Sequence, residues 1–489
     1  MGGIIEGINL HTHIHGRELF HQDQSDMINK AIQLILIILF IFTPVAFGSM
    51  ELWAFSLMEL GILLVIVLWA TQNLARSSGL GVRSLKYEIL FICLFLIIVI
   101  FQLIPFPSGI VKILSPKTYE LRHALAGSTP QSEISIPHST ISLIPFATKI
   151  EFLKWLTLSG LLLFLLSWRV SENEFRVMKR FLVVIFLVGV FESLYGMFEF
   201  FSGHRQILYL RGIAAVSGTF INRNYFAGYL LMVIPLSMGL FFSREAIRKS
   251  RTPSWLNELS SLDGKMLLIG FGVVVMILGL LFSASRMGIL SLLLSFSLIS
   301  LLLRDPRREK RFSKISFLIL SLALLWGVWI GLDAVIGRFL NVTEDFKSRW
   351  LIWSSTFEIL KTFPFFGSGL GTFSQVFPMY RSFHIRNLVT HAENDFLQLA
   401  SEVGLVGIGL LLILFILFFF KAVLGIRSLP RSRSERYVGI GGLVGILALM
   451  LHSLVERNLQ IPANAFLYTF SWALVFQTIR QKDRLNWSD

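Results

Sequence analysis

The sequence predicts an all-α, polytopic integral membrane protein of about twelve transmembrane helices, with a large helical periplasmic loop between helices 9 and 10. Three observations carry this. Hydrophobic residues make up 54% of the 489-residue chain and charged residues only 15%, against about 25% charged in ordinary soluble domains. Apolar runs of about 18 residues, enough to cross roughly 30 Å of hydrocarbon, recur along the chain. The short segments between alternate pairs of runs are uniformly basic.

The apolar runs fall near 31–49, 52–70, 87–104, 150–168, 179–201, 225–242, 266–283, 287–303, 315–332, 403–420, 437–455 and 463–479. With both termini inside, the inner segments hold 28 of the 44 Lys and Arg, although the outer segments include the two longest connections. The net charge of +14 would suit nucleic acid, but most basic residues flank apolar runs and anchor them in the bilayer. The lipid bilayer is therefore an expected partner and nucleic acid is not. The lone Cys93 leaves no disulfide framework or thiolate zinc site, and no metal or cofactor is expected.

Four regions follow. Residues 1–29 are polar, lack the apolar centre of a signal peptide and read as a cytoplasmic tail. Their histidines (His11, His13, His15, His21) read as part of a disordered tail rather than a metal site. Residues 30–204 form an N-terminal transmembrane bundle with an outer loop at 105–149. Residues 205–480 form a second membrane region that includes the long outer loop 333–402, and 481–489 are a cytoplasmic tail. A loop of about 70 residues with periodic structure of its own is more than a connector.

Polar residues gather near the outer ends of the spans. In the 345–363 segment Trp350, Trp353, Phe357 and Leu360 share a helical arc of about 80°, which predicts a helix on the membrane surface with Arg349 at its border. In HAENDFLQLASE (391–402), His391, Asn394, Asp395, Gln398 and Glu402 fall within about 100° on a helix, and Glu393 falls opposite. The i,i+4 spacing would let Asp395 orient the His391 imidazole. A capping cluster at the water line is the simpler alternative. Arg286 stands in the tight turn SASRMG, where it needs an anionic partner. Asn222, Arg223 and Asn224 open another span after Arg211, and His452 and Glu456 share a face at the end of theirs. GSGLG (367–371) lacks a preceding strand and reads as a turn. Glu59, Glu192 and Glu199 lie within spans. Arginines and histidines converging at one membrane depth suit the grip of a diphosphate at the bilayer surface.

INRNYFAGYL, SASRMG, the Arg349–Trp350 helix with PFFGSGLGTF, HAENDFLQLASEVGL and HSLVERNLQIPANA together resemble the O-antigen ligase and O-antigen polymerase superfamily, in order from about 205 to 480. The resemblance implies a transferase of the bacterial inner membrane, in cell-surface polysaccharide synthesis, with its active site facing the periplasm. Its donor would be a polyprenyl-diphosphate-linked glycan, and its acceptor a second glycan or a lipid A-core-type anchor. It carries functional roles to Arg286, Arg349 and His391. Many relatives have a second histidine where this chain has Glu393, so His391 and Glu393 compete for one role, and the helical-face argument favours His391. Arg286 and Arg349, helped by Arg223 or Arg211, would stabilise the leaving diphosphate. His391 would take or position the acceptor's proton, with Asn222, Asn224, Asn394, Asp395, His452 and Glu456 lining the substrate. No metal or nucleotide is needed. A twelve-helix transporter or flippase for a lipid-linked or anionic substrate is the competing class. It predicts ionisable residues at mid-membrane and access from both sides, whereas these clusters lie on one side. A hydrolase using Ser285 or Ser368 with His391 lacks a nucleophile motif.

Overall fold

The computed structural model describes residues 2–75, 86–127, 138–168, 174–213, 215–248, 263–303, 342–383 and 388–485. Helices dominate, and they coincide with eleven of the twelve apolar runs. The run at 315–332 lies outside the described residues, as does the first part of the 333–402 loop. Among the described residues eight helices are long and apolar enough to cross a membrane. The chain is thus built as a polytopic all-α membrane protein.

Helix α1 (Gly2–Val45) contains the polar leader expected to be a tail, and the histidine side chains of that leader lie outside the described ones. A turn at Phe47–Ser49 reverses the chain into α2 (Leu52–Ala75). Gly48 makes that turn at φ 68°, where an added Cβ would sit 2.8 Å from the Phe220 ring. The third helix, α3 (Lys86–Leu103), leads into the short helices α4 (Ser108–Leu114) and α5 (Pro116–Gly127). A two-residue antiparallel ladder, Phe106–Pro107 with His138–Ser139, ties this loop together. Next come α6 (Pro145–Ser167), α7 (Glu174–Phe201) and a second small hairpin pairing Gln206–Ile207 with Arg211–Gly212.

The centre of the bundle is α8 (Arg223–Arg248), whose apolar window is 94% buried. Around it pack α7, α9 (Gly264–Phe282), α10 (Arg286–Leu302), α14 (Ser434–His452) and α15 (Pro462–Leu485), named with α11 (Val342–Thr362), α12 (Phe373–Val376) and α13 (Asp395–Arg427) left outside that ring. The α8–α14 contact is closest where side chains are missing. A Cβ on Gly441 would lie 2.3 Å from the Pro235 carbonyl, one on Gly239 2.6 Å from the Tyr437 carbonyl and one on Gly445 3.0 Å from the Met232 backbone. Backbones at this distance gain dispersion where lipid offers no hydrophobic drive for association.

Helix α13 is two helices joined at Gly404, which has φ 69°. A Cβ there would collide with the Phe365 carbonyl at 2.1 Å. The break frees Leu405 N and Val406 N, which donate instead to Pro364 O at 2.8 Å and Phe365 O at 3.3 Å. Helix α11 buries Ile352 and Ile359 against Phe373 and Phe377 and leaves Trp350 and Phe357 exposed, whereas Trp353 and Leu360 of the expected stripe are half-buried and Trp353 Nε1 donates to Ala392 O at 3.0 Å. Leu121 and Leu143 join that cluster, so the 105–149 loop and the 342–383 segment pack as one unit.

Candidate functional site

The site is assembled by loops that meet where α8, α10, α11, α13 and α14 begin or end. Asn222 accepts from Asn224 N at 2.9 Å and so caps the start of α8. That cap directs Asn224 towards the loop after α14, where its Nδ2 donates to Glu456 Oε1 at 2.6 Å. Arg349, on α11, donates to the same Glu456 carboxylate and to the Val455 carbonyl. The guanidinium therefore turns onto the loop that follows α14. Arg223 is half-buried and its charge acts on Glu456. Arg457 bonds the Tyr225 hydroxyl, lies 5.0 Å over its ring and stands 3.9 Å from Glu393.

The segment before α13 differs from the expected helix. Asn394 is the N-cap, accepting from Leu397 N at 3.0 Å, and the helix starts at Asp395. Asn at this position competes for the first free N–H and ends the helix three residues short of His391. Glu393 sits at φ 50° outside it. His391 and Asp395 are thus not i,i+4 partners. The Asp395 carboxylate instead accepts from Asn458 N at 2.7 Å and Leu459 N at 2.8 Å. The face argument that set Glu393 aside fails with the helix. Glu393 hydrogen-bonds Glu456 inside the arginine cluster, and burial, then the Glu456 carboxylate, push its acid up to about 8 against the pull of Arg349. Burial raises Glu456 as well, with Arg349 opposing.

His391 faces a different space. A cavity of about 290 Å³ runs between α3, α6, α13 and α15, with Phe95, Trp155, Leu411 and Trp472 among its apolar walls. Polar groups line it as well, among them Glu151, Lys154, His391, Asp395, Gln398 and Glu402. The His391 Nδ1 is buried and has no hydrogen-bond partner among the described residues. Glu402 accepts from Gly371 N at 2.8 Å and from Gln398 Nε2 at 3.1 Å, and Gln398 Oε1 accepts from Ala392 N at 3.0 Å. The buried stripe Asp395–Gln398–Glu402 therefore knits three loops to α13. GSGLG is the turn it reads as. Gly367, Gly369 and Gly371 all have positive φ, and Gln102 on α3 grips the turn by accepting from Leu370 N at 3.0 Å.

Two expected members lie elsewhere. Arg211 is exposed on the 206–212 hairpin and pairs with Glu51. His452 and Glu456 do not share a helical face, because α14 ends at His452. His452 Nε2 lies 3.4 Å from Ser285 Oγ, the residue before Arg286, which places the SASRMG turn against the end of α14. Ser285 thus meets His452 rather than His391. Glu192 is held by Thr219, through its N–H at 2.7 Å and its hydroxyl at 2.8 Å, and so anchors the loop before α8. Sequence reasoning missed Tyr225 and Gln102, although a lone Gln in the last turn of an apolar run was a visible signal.

A search of curated proteins finds no match to the chain. Residues 271–412, which include Arg286, Arg349, His391 and Glu402, match the family model described as O-antigen ligase, which supports the resemblance to the O-antigen ligase and polymerase superfamily over that part of the chain.

Proposed function

We propose that the protein is a membrane glycosyltransferase that moves a glycan from a polyprenyl-diphosphate carrier to an acceptor hydroxyl at the periplasmic face of the bacterial inner membrane. The acceptor is a second glycan, as in a polymerase, or a lipid A-core-type anchor, as in a ligase. One observation supports this most. The same 391–395 segment borders a cavity with apolar walls on one side and a cluster of arginines on the other. An isoprenoid chain suits the first surroundings and a diphosphate the second.

In this reading the acceptor oxygen bonds the anomeric carbon as the carbon–oxygen bond to the diphosphate breaks. Attack opposite the leaving group inverts that centre. Arg349 is held by Glu456 and Val455 O, which fixes its position before the donor arrives, and its remaining donors meet the developing charge with Arg286 and Arg223. The acceptor's proton goes to His391. The position of Glu393 among the arginines supports a second assignment within the same reaction, with Glu393 as the proton-holding group.

The test is purified protein in proteoliposomes with a polyprenyl-diphosphate oligosaccharide and acceptor. The expected result is a glycosylated acceptor and free polyprenyl diphosphate in equal amounts. Passage of the intact donor across the bilayer with no bond exchanged would overturn the transferase and leave the transporter.

A further inference from the structure

The hairpin after α7 has an unusual tip. Leu208, Tyr209 and Leu210 are 39%, 77% and 72% exposed, and Leu208 and Tyr209 have φ of 47° and 59°. Short hairpins normally place Gly or Asn in that left-handed region, where a bulky side chain is strained. This chain keeps three apolar residues there. The tip also folds back along its own helix. Leu208 N donates to the Tyr195 hydroxyl at 2.8 Å, and Tyr195 lies about 9 Å down the axis from Phe201 at 1.5 Å per residue. Beside it runs an exposed apolar stripe on α7, Phe191, Leu194, Phe198 and Phe201. That stripe is exposed on a helix apolar enough to span a membrane. Two cations flank the tip: Arg205, stacked 5.3 Å over Phe200, and Arg211, paired with Glu51.

We propose that the 206–212 hairpin is a membrane-docking element, seating Leu208, Tyr209 and Leu210 in the leaflet at that end of α7. Its partner is the bilayer itself, at the boundary of headgroups and acyl chains. Continuity with the exposed apolar stripe sets the depth. A tyrosine ring suits that boundary, and Arg205 suits anionic headgroups just above it. Arg211 then serves by clamping the hairpin to the start of α2. The proposal depends only on the hairpin's position on α7 and stands or falls apart from the transferase reading.

The experiment places an environment-sensitive fluorophore at Tyr209→Cys in a Cys93→Ser background, in vesicles of phosphatidylethanolamine and phosphatidylglycerol. Lipids carrying a nitroxide near the top of the acyl chain should quench it strongly, and aqueous iodide weakly. Iodide quenching as strong as that of the free label overturns the proposal. Shielding from both quenchers also overturns it and points to a protein covering the tip. Leu210→Cys gives the same readout should the first variant fail to fold.

Discussion

The arginine cluster and the cavity border one short segment, yet their carboxylates are used in opposite ways. In the cluster, side chains answer side chains: Glu456 meets Arg349 and Asn224, and Glu393 meets Arg457 and Glu456. In the cavity, the two buried carboxylates of α13 answer chiefly the backbone: Asp395 holds Asn458 N and Leu459 N, and Glu402 holds Gly371 N and Phe373 N. The difference separates chemistry from architecture. In the proposed reaction a diphosphate oxygen would meet the guanidinium donors that Glu456 and Val455 O leave over on Arg349. No substrate atom can replace Asp395 on the Asn458 and Leu459 amides without opening the loop.

The largest effects should therefore come from the arginines. Arg349→Lys keeps the charge but cannot serve Glu456, Val455 O and a diphosphate at once. Transfer should fall about 100-fold, the usual loss when one aligned donor to developing charge is removed. Arg286→Lys should act similarly. Wild-type rates in both, measured on equal amounts of folded protein, would reduce these arginines to anchors and erase the contrast.

His391→Ala and the Asp395 variants divide the cavity side. His391→Ala should abolish transfer while melting temperature and donor binding stay near wild type, because its Nδ1 holds no structural bond among the described residues. Asp395→Ala should do the reverse. Leaving the buried Asn458 N–H without an acceptor costs about 1–3 kcal/mol and the half-buried Leu459 N–H less, and Asp395→Asn, which keeps one oxygen, about 1 kcal/mol. Transfer per folded molecule should drop less than the melting temperature suggests. If Asp395→Asn kills activity in a fully folded protein, the architectural reading of the backbone-bonded carboxylates is wrong.

The spans were legible because hydropathy is a local property of about twenty consecutive residues, and that alone decides whether a helix can sit in lipid. The turn at GSGLG was legible for the same reason, since glycine spacing encodes it locally. The start of α13 was not. A polar stripe at helical spacing looks the same whether the helix begins at His391 or Asp395, and the outcome turned on one Asn394 side chain finding Leu397 N. Nor does any local signal pair Arg349 with Glu456, 107 positions away, or send Arg211 to Glu51. The break at Gly404 is intermediate. The glycine is visible, but its reason, the Phe365 carbonyl in the space of a Cβ, lies in another segment.

Glu393 gives the smallest and sharpest test. Glu456, Arg349, Arg457 and Asp395 face it, and burial with the Glu456 charge outweighs the arginines, holding its acid up to about 8. At neutral pH it is then largely protonated, and Glu393→Gln copies that form. Transfer at pH 7 should change less than about threefold if His391 takes the proton, a difference of roughly 0.6 kcal/mol. The stability effect has a definite sign. Unfolded Glu393 loses its proton near pH 4.5 and the folded residue near 8, so between these values the native state holds the extra proton. Stability contributed by this group is full below the lower value, declines as pH rises through the window and levels off above the upper one. Glu393→Gln removes that slope. Melting temperature of wild type minus variant, followed from pH 5 to 9 in the same detergent, should fall as pH rises. A flat difference would show that Glu393 ionises freely and that the cluster holds it as an ordinary carboxylate. A dead Glu393→Gln enzyme beside an active His391→Ala would instead hand the proton to Glu393 and move the chemistry wholly into the arginine cluster.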